Sequence, residues 1–294
     1  MVNTIREHLI HLHHCRGVGW KSIHRLLQYD PTLSSIYHLS PKKLETLLEI
    51  SKTSLLNLVN DLHSTKIQSM LKQYYEKNIH VITIFDDAYP ALLKQIFDPP
   101  WVLYAKGDIS LLNTKKLISV VGTRLATEYG FKSLQKLIPP LIENEWCVVS
   151  GLAEGIDTIA HKLTIANGGK TIAVIGSGFY HIYPKSNQQL VECVEIDHLL
   201  LSEYPPTTKP QRWHFPMRNR IISGLSAGTI VIEAKERSGS LITADQALQQ
   251  GREVFAVPGS ILDEKCTGTN RLIQQGAKLV ISHEDIFEEL NIHT

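Results

Sequence analysis

Cysteine is scarce in this 294-residue chain, and the four present (Cys15, Cys147, Cys193, Cys266) stand far apart with no CxxC pair. That spacing offers no zinc framework and suits a reducing compartment. Cys147, inside an apolar run, reads as an inert core thiol. Long apolar runs are also missing. No window approaches the roughly 18 consecutive apolar residues that span a bilayer. The opening MVNTIREHLIHLHHC lacks the apolar stretch and small-residue cleavage site of a secretory signal. The expectation is a cytoplasmic protein without membrane association. An excess of charge of one sign is absent too: the net charge is only +1, so global electrostatics announce no polyanionic partner.

What is present is unevenly placed. Between Glu203 and Glu233 there is no carboxylate, while Lys209, Arg212, Arg218 and Arg220 all fall there. A local basic stretch in a neutral protein can hold a polyanion without making the whole surface adhesive. The 43% apolar composition is enough for one substantial core and one smaller one.

Residues 1–75 read as helical, with apolar residues at three- and four-residue spacing and Ser40-Pro41 placed as an N-cap followed by a first-turn proline. Gly17-Val18-Gly19-Trp20-Lys21 joins two of these helices and resembles the glycine turns of helix-hairpin-helix and SAM-like modules, whose main-chain amides approach a phosphate; the favoured reading is a tight turn with a packing role. His8, His11, His13 and His14 read as a solvated helix face, because no carboxylate or thiolate pattern completes a metal site. Residues 76–115 read as a connector that introduces the second domain, 76–294.

From Leu117 the pattern becomes apolar strand, small-residue loop, helix, repeated. The strand candidates are 117–122, 147–151, 171–176, 198–203, 229–234, 253–259 and 278–282. They are nearly continuous apolar runs, as a sheet covered on both faces requires. Alternating β and α segments of this kind predict an α/β fold with a doubly wound, mostly parallel sheet.

Ligands of such sheets bind beyond the carboxyl ends of the strands. Here those ends carry Gly122 and Arg124; Ser150, Gly151, Gly155 and Asp157; Gly176 and Gly178; and Ser238, Gly239 and Ser240. Small residues there let a ligand approach main-chain amides at helix N-termini, which predicts an anion site. The dinucleotide fingerprint GxGxxG fails, since His181 occupies its third glycine position. A Walker loop fails because Thr164 stands where its first glycine belongs. No cofactor and no metal are therefore expected. Gly224-Leu225-Ser226-Ala227-Gly228 satisfies GxSxG, yet helix precedes Ser226 and strand follows it, the reverse of a nucleophile elbow. No catalytic residue is expected.

Two further segments suit a chain of nucleotides. Tyr183-Pro184-Lys185-Ser186-Asn187 presents an aromatic ring, an ammonium and an amide after the third of these strands. Trp213 and Phe215 precede Arg218, Asn219 and Arg220. Bases stack on rings while Arg and Lys track the backbone of a single strand. The competing reading makes the aromatics core anchors and pairs the arginines with carboxylates. Composition leaves both open.

These segments in this order (VGTR at 121–124, SGLAEGID at 150–157, YPKSN at 183–187, SEYP at 202–205, FPMRNRIISGLS at 215–226, SGSLITA at 238–244, GREVFAVPG at 251–259 and GTNRLIQQGA at 268–277) resemble the bacterial DNA-processing family called DprA or Smf, over about residues 80–290. The resemblance implies an extended Rossmann-like domain, an N-terminal helical SAM-like domain, and single-stranded DNA binding without catalysis. It implies loading of the recombinase RecA onto DNA coated by single-strand-binding protein during natural transformation. It also implies a homodimer formed through the C-terminal part, around Leu272, Ile273 and Leu279. Carried over by motif, Arg124 and Lys185 match phosphate-binding positions, Arg218 and Arg220 fall in the same basic pocket, and Lys209 lies in a variable stretch. The alternative class is a nucleotide phosphoribohydrolase on a related fold, whose PGGxGT signature this chain lacks.

Overall fold

The computed structural model describes residues 4–290. They fall into two compact units. One comprises residues up to 89 with 100–104, the other residues 90–99 with those from 105 on. The chain thus passes between units three times, where the sequence suggests one boundary after residue 75.

The first unit is built on helices α1 (Ile5–His14), α2 (Trp20–Tyr29), α3 (Pro41–Leu48), α4 (Lys52–Ser64) and α5 (Ile67–Glu76), followed by strand β1 (His80–Thr83). The helix starts follow local chemistry. Thr4, Ser40 and Ser51 each accept a hydrogen bond from a first-turn amide, with Pro41 at the first position of α3. Leu9, Ile10, Leu12, Ile23, Leu26 and Leu58 form the buried interior. Gly17 has φ +81°, and a Cβ there would press on Ser54 at 2.7 Å, so this turn is glycine for packing reasons.

The histidines of α1 do not form a solvated face. His8 and His11 are buried; His11 Nδ1 lies 2.8 Å from the Tyr37 hydroxyl, and His14 Nε2 lies 3.0 Å from that of Tyr74. His13 Nδ1 lies 3.2 Å from the Tyr104 hydroxyl, and burial holds its imidazole down, to about 3. Tyrosine hydroxyls thus meet one ring nitrogen each of His11, His13 and His14, and His8 Nδ1 lies 2.9 Å from the Thr32 carbonyl, long-range partners that periodicity alone does not register.

The chain continues through α6 (Ala91–Lys94) and β2 (Val102–Gly107) into the alternating part: β3 (Leu117–Val121), α7 (Glu128–Glu143), β4 (Cys147–Ser150), α8 (Ile156–Ala166), β5 (Thr171–Ile175), α9 (Gln188–Asp197) and β6 (Leu199–Ser202). Then come α10 (His214–Leu225), β7 (Gly228–Val231), α11 (Gly239–Gln249), β8 (Glu253–Ala256), α12 (Thr267–Gln274), β9 (Lys278–Leu279) and α13 (Glu284–Glu289). All seven strand candidates are strands, the last shortened to two residues. In the second unit they run in the order β6-β5-β4-β3-β7-β8-β9, and every neighbouring pair is parallel. The fold is α/β, an extended Rossmann-like sheet with helices on both faces.

Strands β3 to β6 step outward in one direction. The chain then returns through α10 to lay β7 against the other edge of β3, with Ile118 facing Gly228 in register. The order therefore reverses between β3 and β7, which opens a crevice beyond their carboxyl ends. Ile118, Val120, Leu134, Ile138, Val148, Ile156, Ile230 and Phe255 pack the core that fixes this edge. Cys147, next to Val148 on β4, is also buried, and burial pushes its thiol up to about 12, consistent with an inert side chain.

Candidate nucleic-acid interface

A cleft of about 700 Å³ opens at that reversal. Nine residues singled out in the sequence line it: Gly122 and Arg124 from the loop after β3, Asp157 on α8, Phe215, Arg218 and Asn219 on α10, and Ser238, Gly239 and Ser240 at the start of α11. A smaller recess joins it, where Gly151 and Gly176 meet Arg124, Tyr183, Phe215 and Arg218.

Each wall has a local cause. Ser238 is the N-cap of α11 and accepts a hydrogen bond from the Ser240 amide at 3.3 Å, while a Cβ on Gly239 would meet nothing within 4 Å. Ser238 thus takes the Ser240 and Leu241 amides, and the positive end of α11 is open to the cleft at Gly239. Asn219 Nδ2 donates to the Gly239 carbonyl at 3.3 Å and ties α10 to this end. The Arg124 loop is held from below by Glu233. Its main-chain carbonyl accepts from Thr123 N at 2.7 Å, and its fully buried carboxylate accepts from Thr127 N at 3.0 Å and from the Thr127 hydroxyl. Gly155 has φ +77°, and a Cβ there would collide with the Thr123 carbonyl, so the loops after β3 and β4 interlock only with glycine at this position.

Arg124 is exposed and, among the described residues, makes no hydrogen bond or ion pair; the same holds for Arg212, which also lines the cleft. Arg212 and Gln211 stand outside the site residues expected from sequence. The carboxylate-free stretch around Arg212 was the available signal. Tyr183 and Phe215 approach with ring centroids 5.6 Å apart, and Tyr183 is half exposed.

The other candidates sit elsewhere. Arg218 lines the cleft but is only 5% exposed, and its guanidinium donates to the carbonyls of Gly151 and Val174. Burial lowers its pKa to about 10 against the pull of Asp157. Arg220 does not share this pocket. It pairs with Glu203 at 2.6 Å and Asp98 at 3.2 Å, and although burial works against its charge, these carboxylates hold its pKa above the ordinary value. The helix explains the correction, because residues two apart on an α-helix point in nearly opposite directions. Ser150 donates its hydroxyl to the Val120 carbonyl at 2.6 Å between strands. The Gly178 amide is spent on the Thr208 carbonyl at 2.8 Å. Asn187 is buried and donates to Leu152 O at 2.9 Å and Thr158 Oγ1 at 2.8 Å, securing the turn that carries exposed Lys185. Lys209 is exposed; neither lysine lines the cleft. Ser226 is fully buried, with its hydroxyl donated to Ile222 O at 3.1 Å. Among the described residues no group of three or more His, Cys, Asp or Glu side chains is arranged to hold a metal, and no helix is long and apolar enough to cross a membrane.

Fold and site together define a doubly wound α/β protein with an arginine-bearing, aromatic-flanked cleft at its topological switch point. Residues 80–291 match the family model described as DNA recombination-mediator protein A, and the chain belongs to that family. It is 51% identical over 263 residues to the DNA processing protein DprA of Bacillus subtilis, covering 89% of this chain and 87% of that one. The crystal structure of DprA from Streptococcus pneumoniae superposes with a TM-score of 0.85 at 41% identity, covering 98% of this chain and 99% of that one. A structure of DNA processing protein A from Helicobacter pylori, which addresses that protein's single-stranded DNA binding mode, matches with a TM-score of 0.65 at 28% identity over 72% of this chain and 95% of that one.

Proposed function

We propose that this protein binds single-stranded DNA in the switch-point cleft and acts as a recombination mediator without catalysis, holding incoming strands and passing them to RecA. The observation that carries the reading is the pairing of Arg124 and Arg212, which make no hydrogen bond or ion pair among the described residues, with the α11 N-terminus open at Gly239 and the Tyr183–Phe215 rings across one cleft. Phosphates need the first two, and bases need the rings. The single-strand binding addressed for the Helicobacter pylori relative supports the ligand, and the family's description as a recombination mediator supports the role. Lys185 and Lys209, exposed outside the cleft, extend the path for the strand in this reading. Displacement of single-strand-binding protein, RecA loading and dimerisation through the segment around Leu272, Ile273 and Leu279 complete it, with exposed Leu279 and half-buried Ile273 as its contacts and Leu272 held in the interior.

The test compares single- and double-stranded oligonucleotides by gel shift or anisotropy. The expected result is preference for the single strand and a loss of at least about tenfold in Arg124→Ala, in line with a charge-assisted hydrogen bond to phosphate of about 1.5–3 kcal/mol. Unchanged binding in the Arg124→Ala, Lys185→Ala double variant would overturn the assignment. Release of free base from nucleoside monophosphates would overturn the non-catalytic part.

A further inference from the structure

The cleft contains one residue that an anion site should not want. Asp157 lines it, yet is only 6% exposed. Its carboxylate accepts from the main-chain N–H of Ala153 at 3.3 Å, so an amide after β4 that could have met a phosphate is turned to an internal anion. This deepens the single-strand reading and rests on it. We propose that Asp157 is a positioning residue of the cleft, holding the loop after β4 while opposing the phosphate chain, so that the protein takes up a proton when it takes up single-stranded DNA.

The surroundings of Asp157 support this. Two cations face it, Arg218 from α10 and Arg124 from the loop after β3. Arg218 cannot follow a ligand, being fastened to the Gly151 and Val174 carbonyls. Arg124 is exposed and can turn to DNA, and in doing so leaves Asp157 with less compensation. Glu154, in the same loop, is turned to the Ser186 hydroxyl at 3.0 Å. Helix α7 packs on α8 through Leu134, Ile138 and Leu141, while its Lys132 pairs with its own Glu128 at 2.8 Å. His161 on α8 stays neutral, with burial holding it near 3. Burial raises the Asp157 carboxyl to about 6 against the pull of Arg218. A phosphate entering the cleft repels the carboxylate and raises it further. Affinity is then highest below about pH 6, falls as pH rises from the free toward the bound pKa, and levels off above both. The range of the fall is about tenfold for each pKa unit the DNA adds.

The experiment measures affinity for an oligo(dT) single strand, whose base does not titrate in this range, from about pH 5 to about pH 8 at fixed ionic strength. The expected result is wild-type binding that weakens with rising pH, and Asp157→Asn binding that is flat and near the wild-type low-pH value. A flat wild-type profile overturns the proposal. So does an Asp157→Asn profile with the wild-type slope, which would place the titrating group elsewhere. Calorimetry of the wild-type protein near pH 6.5, in buffers of different ionisation enthalpy, gives an answer even if the variant does not fold: fractional proton uptake supports the proposal and zero uptake overturns it. Binding that is present but independent of pH sinks this proposal alone, whereas no binding at any pH sinks the single-strand reading with it.

Discussion

Arg218 and Arg220 stand two positions apart on α10 and do different work. Arg218 forms part of the cleft floor, and Arg220 lies in an ion-paired pocket with Glu203 and Asp98, its side chain 4% exposed. Removing one member of a buried pair leaves the others uncompensated and costs about 3–5 kcal/mol. Arg220→Ala is therefore expected to lose about that much in chemical denaturation, while the folded fraction keeps wild-type affinity for single strands. Loss of DNA binding without loss of stability would return Arg220 to the interface. Asp157 carries a second expectation at this scale. Its folded pKa is raised, so the charged form is a cost that grows as pH rises from about 4 to about 6. Asp157→Asn should gain melting temperature relative to wild type across that window, and a constant difference would show that burial does not strain the carboxylate.

At the scale of elements, the cleft depends on how two helices begin. Helix α11 starts at a serine cap with open space over Gly239, whereas α7 starts at Thr127, whose hydroxyl accepts from the Gly130 amide and donates to Glu233. Loss of a cap costs about 1 kcal/mol, and stranding the buried partner adds about 1–3 kcal/mol. Thr127→Val is expected to lower stability by that sum and also to weaken single-strand binding, since the loop bearing Arg124 hangs from the same carboxylate. Urea denaturation with anisotropy on the same variant checks both, and wild-type affinity would show that Arg124 does not need this support. Glu233 ends an apolar run and was passed over in sequence, where nothing marks a carboxylate as a hook for another loop.

At the scale of the molecule, a net charge of +1 means that attraction to DNA is local. With Arg124 and Arg212 exposed at the cleft and Lys185 and Lys209 exposed outside it, the expectation is that two to four phosphates are neutralised, so log affinity should fall with log salt at a slope of about −1.4 to −2.8. A titration of salt against affinity measures this directly. A slope near zero would remove the phosphate contacts, and a much steeper one would mean a wider footprint than the cleft.

The sequence by itself determined the alternation of strands and helices, the parallel sheet, and the edge at which a ligand binds, because apolar runs and small-residue loops are local signals read over a few positions. It also carried nine of the residues that line the cleft. Only the tertiary structure decided which polar groups are free. Ser150, Gly178, Asn187 and Arg220 have the right chemistry, but their donors are taken by Val120, Thr208, Leu152 and Glu203. The α1 histidines found tyrosines from distant positions in the same way. A hydrogen bond between residues far apart in sequence leaves no periodic trace, so whether a donor is available to a ligand is a property of packing.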